Sequence, residues 1–232
     1  MRVHLRIRRF DPALADPRTW SEYDLEVDPH CTLLDALHRI KAEQDSTVSF
    51  RRSCGMGICG SDAMQVNGHN RLACKVLFSS LGSEVTVEPL KGLMPLRDLV
   101  VDLDPFFANL KAVKPWLITH SPTPTRENLQ TPEQRERFDD TTKCILCAAC
   151  TTACPPFWSD PGFVGPAAIV NAHRFMYDSR DEGGDERLPI LSGQQGLFRC
   201  RTAFNCTEAC PRDIKVTDSI EQLKRLSLER TV

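Results

Sequence analysis

The sequence has no long hydrophobic run: nothing in its 232 residues approaches the ~18 apolar residues that span a bilayer. No segment is expected to cross a membrane by itself, although the chain remains free to dock on one that does. No secretory leader is expected either, because the opening MRVHLRIRRF has no apolar core. Without export the thiols stay in a reducing compartment, and the eleven cysteines are not expected to form a disulfide framework. There is no excess of one charge either. Lys and Arg total 29 against 31 Asp and Glu, a formal net charge of −2, and the basic residues are scattered, which removes the electrostatic case for nucleic acid. Neither a dinucleotide fingerprint nor a G-x4-G-K-[ST] phosphate loop is present.

What is present is cysteine, in a pattern written twice. Cys144, Cys147, Cys150 and Cys154 are spaced C-x2-C-x2-C-x3-C and followed by Pro155. The same template laid on Cys200 falls on Ala203, Cys206, Cys210 and Pro211, so the second copy lacks one cysteine. The complete run is that of bacterial ferredoxins, in which the fourth cysteine ligates the other cluster. By that rule Cys144, Cys147, Cys150 and Cys210 supply the four thiolates of a [4Fe–4S] cube. Cys154, Cys200 and Cys206 supply three, and with Ala203 unable to hold an iron the second cluster is expected to be [3Fe–4S]. Zinc is the rival, since C-x2-C pairs also bind it, but zinc sites use two separated pairs rather than a triplet plus Cys-Pro, repeated.

The length suits one large or two ordinary domains, and such a chain buries roughly 70% of its unfolded surface without help from metals. Val3, Leu5 and Ile7 alternate with polar residues, as do Tyr23, Leu25 and Val27, which predicts two pairable strands. From Thr32 the run TLLDALHRIKAEQ predicts a helix, with Asp35 as capping-box partner and Leu33, Leu37 and Ile40 on one face. EVTVEP, with Val85 and Val87 on one side, is a returning strand. Hairpin, helix and returning strand suit a β-grasp sheet. Pro122, Pro124 and Pro132 mark a linker-like stretch, after which the pattern is helical: one helix starts at Gly165-Pro166, and a last one carries Ile220, Leu223 and Leu226. The expected class is α+β, with a β-grasp domain over 1–104 and an all-α domain carrying both cysteine runs over 105–232.

The first domain has its own set, Cys54-x4-Cys59-x2-Asp62 and then Cys74. Plant-type [2Fe–2S] proteins use C-x4-C-x2-C and a distant fourth cysteine, and here Asp62 stands at the third position. A carboxylate oxygen can bind ferric iron, so Asp62 is the fourth ligand by spacing. The other reading has Asp62 accepting hydrogen bonds within the loop while another group such as Ser61 ligates. Interleaved glycines let backbone N–H groups turn toward the sulfurs.

Taken together, RRSCGMGICGSDAMQVNGHNRLAC, CILCAACTTACPPFW, FVGPAAIVNAHRFMYDSRD and FRCRTAFNCTEACP resemble the iron–sulfur subunit of succinate dehydrogenase and its near twin in fumarate reductase. The resemblance runs from about Phe10 to about Leu226. It implies a β-grasp and a helical ferredoxin domain, and a series of [2Fe–2S], [4Fe–4S] and [3Fe–4S] clusters. Electrons in that family pass from FAD on a separate flavoprotein subunit, through the clusters, to quinone beside a membrane-anchor subunit that bears haem in some members. The implied place is the cytoplasmic face of a bacterial inner membrane, peripheral and held through the anchor. Asp62 fits, since some bacterial members carry aspartate there.

The quinone site is matched less fully. The resemblance points to Pro155, Trp158 and Arg201 as quinone contacts, but Trp158 stands alone where many members have a Trp-Trp pair, and Arg201 stands where they have histidine. Menaquinone and ubiquinone both stay open. The chain has no recognisable set of dicarboxylate-binding arginines, so oxidation of succinate is expected on a partner. Fumarate reduction by the same clusters in reverse is the alternative. His173, in the helix after Gly165-Pro166, is read as structural, with a proton relay or a donor to cluster sulfur as the other possibility. Cys31, outside the three ligand sets, is read as packing.

Overall fold

The structure, a computed structural model, describes residues 1–122, 124–160 and 162–230. In chain order its strands are β1 (Arg2–Phe10), β2 (Arg18–Glu26), β3 (Ala63–Val66), β4 (His69–Leu72), β5 (Glu84–Glu88), β6 (Pro95–Arg97) and β7 (Val100–Val101). Its α-helices are α1 (Leu33–Arg39), α2 (Asp104–Ala112), α3 (Pro132–Asp139), α4 (Ala149–Thr152), α5 (Pro155–Ser159), α6 (Pro166–Met176), α7 (Gly184–Ser192), α8 (Asn205–Glu208) and α9 (Val216–Glu229). Two compact units divide the chain: Met1–Leu103 with Ile145–Ala153, and Asp104–Cys144 with Cys154–Val232.

In the first unit five strands form one mixed sheet in the order β2-β1-β5-β3-β4. β1 pairs antiparallel with β2, Leu5 opposite Tyr23, and parallel with β5, Leu5 opposite Val85. This is the β-grasp arrangement expected from the sequence. The alternation predicted for β1 puts Val3, Leu5 and Ile7 in the core, where Leu33, Leu37 and Ile40 of the helix meet them. Thr32 and Asp35 close the capping box, each side chain satisfying a backbone N–H of the other. Beyond Arg39 the helix widens into a π turn, Ile40–Gln44, whose end is tied down: Asp45 accepts from Arg9 and Tyr23, each at 2.7 Å, while its N–H reaches the Ile40 carbonyl. β3 and β4 form a hairpin through Asn67-Gly68, both at positive φ as a two-residue turn requires.

Residues 145–153 join this unit through one buried amide. Asn70 of β4 donates to the Ala149 carbonyl at 2.9 Å and to Thr152 Oγ1 at 2.8 Å. Ile145 and Cys147 pack against the same core.

The second unit is helical. α6 runs beside α9 and buries Ala167–Val170 and Ala172, so the helices predicted after Gly165-Pro166 and around Leu223 are both present. A buried ion pair fixes its first stretch. Arg187 of α7 pairs with Asp181 at 2.5 Å and donates to the Lys114 and Trp116 carbonyls. Among the described residues, no helix is long and apolar enough to cross a membrane.

Candidate functional site

The glycine-rich loop after β2 and α1 carries Cys54 and Cys59. Gly55, Gly57 and Gly60 all take positive φ, and the loop curls so that backbone N–H groups face sulfur. Met56 N–H and Cys59 N–H each donate to Cys54 Sγ at 3.3 Å, and Cys54 N–H donates to Cys59 Sγ at 3.5 Å. The N–H groups of Met56, Ile58 and Cys59, with the Cys59 thiol, favour the Cys54 thiolate and push its pKa down to about 6. Cys74, by contrast, is buried beside the Asp62 carboxylate, and its thiol is pushed up to about 12.

Asp62 is 2% exposed. Its Oδ2 accepts from the Cys74 backbone N–H at 2.6 Å, but its Oδ1 is buried and has no hydrogen-bond partner among the described residues. A buried carboxylate oxygen without a partner costs free energy, and a metal ion is one group that removes the cost. The donor set of two thiols in one loop, a third at Cys74 and one spare carboxylate oxygen fits a two-iron cluster. Ser61, the other reading, has its hydroxyl 3.2 Å from Cys59 Sγ, as a hydrogen-bonding neighbour of that sulfur.

The two cysteine runs have the same backbone. Leu146 and Ala148 flank Cys147 at φ 56° and 63°, and Thr202 and Phe204 flank Ala203 at φ 54° and 61°. The leading cysteines match as well: Cys144 has φ −62° and ψ 126°, Cys200 φ −61° and ψ 126°. Each run then enters a single helical turn, α4 or α8, from the left-handed residue. Left-handed conformations at leucine, alanine, threonine and phenylalanine are strained, which marks a surrounding that over-determines them. The second copy keeps that strain although Ala203 has no thiol.

Cys154, Cys200 and Cys206 come together in the second unit around a small recess lined also by Ala203, Pro155 and Arg201. Burial pushes the Cys154 thiol up to about 12 and raises Cys206, and each lies close enough to the other sulfurs for a second thiolate to oppose ionisation. Two buried thiols and the half-buried Cys200 beside them can all ionise only around compensating positive charge, which iron supplies. Trp158, on α5 with Pro155, is 38% exposed and is not part of the lining. Of the four cysteines predicted to hold the cube, Cys144 and Cys210 belong to the second unit, Cys147 and Cys150 to the first. Cys144 Sγ accepts from Asn171 Nδ2 at 3.5 Å. Among the described residues, no three His, Cys, Asp or Glu side chains converge on a point where one ion would sit.

His173 is buried and bonded through Nε2 to Gln222 at 2.9 Å, with its ring on Tyr177. Burial lowers its pKa. Cys31 packs against the first core with its thiol toward Thr32 and Asp35. The polar residues that touch cluster-run sulfurs, Asn171 and Thr217, are not singled out by the sequence; no spacing signal connects them to a cysteine.

Comparison with known proteins agrees with this geometry. A family described as "2Fe-2S iron-sulfur cluster binding domain" matches residues 4–108, and one described as "4Fe-4S dicluster domain" matches 137–211. The succinate dehydrogenase iron-sulfur subunit of Paracoccus denitrificans is 41% identical over 229 residues, covering 97% of this chain and 88% of the relative. The fumarate reductase iron-sulfur subunit of Mycobacterium tuberculosis is 38% identical over 226 residues, covering 96% and 92%. Among solved structures, a chain of the Mycobacterium smegmatis Sdh1 complex in the apo form superposes with a TM-score of 0.86 at 27% identity, over 99% of this chain and 96% of that one. This chain belongs to the family of iron–sulfur subunits of succinate dehydrogenase and fumarate reductase.

Proposed function

We propose that this chain relays electrons from FAD on a partner flavoprotein to quinone, as the electron-transfer subunit of a membrane-bound succinate:quinone oxidoreductase. Cys54, Cys59, Asp62 and Cys74 would hold a [2Fe–2S] cluster. Cys144, Cys147, Cys150 and Cys210 would hold [4Fe–4S], and Cys154, Cys200 and Cys206 would hold [3Fe–4S]. Bound there, the clusters supply one-electron transfer at potentials set by ligand type, charge, hydrogen bonds and burial. The chain's own part is to supply the sulfurs and the Asp62 oxygen, to aim N–H donors at them, and to keep water from the buried thiolates. The 1–104 and 105–232 domains divide that work, the first taking electrons in and the second passing them on.

The observation that carries this reading is the recess in which three thiols face Ala203. A fourth thiolate is missing where a full ferredoxin repeat has one, and Pro155 and Arg201 line the same recess, where they would contact quinone; Trp158 would meet the anchor or the quinone from α5. The chain would then sit peripherally on the cytoplasmic face of a bacterial inner membrane, held by one or more anchor subunits. Fumarate reduction is the second reading, supported by the 38% identity to a fumarate reductase subunit.

Isolation from native membranes tests the proposal. The chain should co-purify with a flavoprotein and membrane proteins, carry about nine iron atoms, and give an oxidised three-iron EPR signal. Recovery mainly as a free 26.1 kDa species would overturn it. A redox titration of all three clusters in the complex distinguishes the two directions.

A further inference from the structure

Thr217 sits in the first turn of α9, 1% exposed, with its hydroxyl 3.5 Å from Cys206 Sγ. Its backbone N–H, one of the four that a helix start leaves without an intrahelical partner, donates to Thr207 Oγ1 at 2.9 Å. The two hydroxyl oxygens are 2.8 Å apart. Thr207 belongs to the single turn α8, which also carries Cys206.

These distances leave one arrangement of protons once Cys206 is a metal-bound thiolate. The sulfur then has no proton to give, so the Thr217 hydroxyl must donate to it. Thr217 Oγ1 has only that proton, so the short contact with Thr207 is made by the Thr207 hydroxyl donating to Thr217 Oγ1. Thr207 Oγ1 in turn accepts the Thr217 N–H. The result is a one-way chain from the N-terminus of α9, through both hydroxyls, into the sulfur. Each bond polarises the next, and the positive end of the helix dipole stands behind all of them.

We propose that Thr217, oriented by Thr207, is a positioning residue that raises the reduction potential of the cluster held by Cys154, Cys200 and Cys206. The inference rests on the ligand assignment made above. Reduction adds one electron, delivered by the chain's own relay, and breaks no bond; it increases the negative charge carried by the Cys206 sulfur. A hydroxyl donating to that sulfur stabilises the reduced form more than the oxidised one, so the potential rises. The effect is large because the pair is buried, where water cannot replace the lost donor. It places the terminal carrier where electrons collect before they leave for quinone.

The test is an EPR redox titration of the intact complex, wild type against Thr217→Val, Thr217→Ser and Thr207→Val. Valine keeps the shape of threonine and removes the hydroxyl. Thr217→Val should lower the one-electron reduction constant of the three-iron signal about tenfold, roughly 59 mV, with the other two clusters unmoved. Thr217→Ser should restore the wild-type value, which a purely structural role would not require. Thr207→Val keeps the Thr217 contact with sulfur but removes the donor behind it, and should give a smaller shift in the same direction. It also serves if Thr217→Val fails to assemble. A normal three-iron signal whose potential is the same in wild type and both valine variants overturns the inference and leaves the ligand assignment standing. A wild type with no three-iron signal overturns the assignment, and the inference with it.

Discussion

Gly55 and Gly60 take nearly the same backbone conformation, φ 68° and 69°, in surroundings that differ completely. A Cβ built on Gly55 meets nothing within 4 Å. A Cβ on Gly60 would lie 2.6 Å from Cys147 Cβ, 2.9 Å from Cys147 Cα and 3.1 Å from the Ile145 carbonyl oxygen, two of which are backbone atoms that cannot swing away. Gly55→Ala therefore costs only the left-handed conformation, about 1–2 kcal/mol. Gly60→Ala carries the same term plus overpacking, about 1–3 kcal/mol more. At roughly 2–4 °C per kcal/mol for a chain of this size, the thermal midpoint of the intact complex should fall by about 2–8 °C for Gly55→Ala. It should fall roughly 2–12 °C further for Gly60→Ala. Because Cys147 is the atom pair in the way, Gly60→Ala should also disturb the four-iron EPR signal, and Gly55→Ala should leave it alone. The assay is differential scanning calorimetry with EPR on the same preparations. Equal midpoints for the two variants would refute the close approach of residues 145–147 to the glycine loop, and with it the packing of Cys147 in the first unit.

Replacing Asp62 by cysteine should keep a two-iron cluster with an altered potential, since the spacing becomes the plant-type one; Asp62→Ala should make that cluster labile, and unchanged spectra in the alanine variant would remove Asp62 from the ligand set. Ala203→Cys should convert the three-iron cluster to a cube, because Ala203 lies between a pair of left-handed residues equivalent to the pair that flanks Cys147. Iron analysis should then rise to about ten, the oxidised three-iron signal should vanish, and electron delivery to quinone should slow; persistence of the signal means the new thiol does not reach the site. Arg187→Leu leaves the Asp181 carboxylate buried and unpaired at 1% exposure, a cost of about 3–5 kcal/mol read as a lower thermal midpoint, and a midpoint within 1 °C or so of wild type would contradict the burial of that pair.

The family assignment and the electron-relay reading ask little of tertiary detail, because the chemistry is written in covalent spacing. Thiolates three residues apart are brought to one cluster by a single loop and turn, so Cys144, Cys147 and Cys150 could be read together from sequence, as could Cys200, Cys206 and the gap at Ala203. Alternation fixed β1, β2 and β5 for a similar reason: every second side chain faces the core, and a shift by one would expose Leu5 and Ile7. The short hairpin of β3 and β4 was less legible, although Asn67-Gly68 is its signal, because four-residue strands carry too few positions to show a period.

Contacts between residues distant in sequence decided the rest. Spacing made Asp62 a ligand candidate, but only the fold leaves its Oδ1 buried without a partner among the described residues while Oδ2 is bound to Cys74 N–H. Both the spacing and the composition are silent on residues 145–153 joining the first unit, which depends on Asn70 reaching Ala149 and Thr152 across some eighty positions. The donors to sulfur follow the same rule. Asn171 is 27 residues from Cys144, and Thr217 is 11 from Cys206. The sequence by itself determined which atoms can bind iron and how many each set supplies, because those are properties of residue type and covalent spacing. The tertiary structure alone decided which hydrogens point at those atoms, because a hydrogen bond depends on the position and orientation of a partner that the chain brings back from elsewhere.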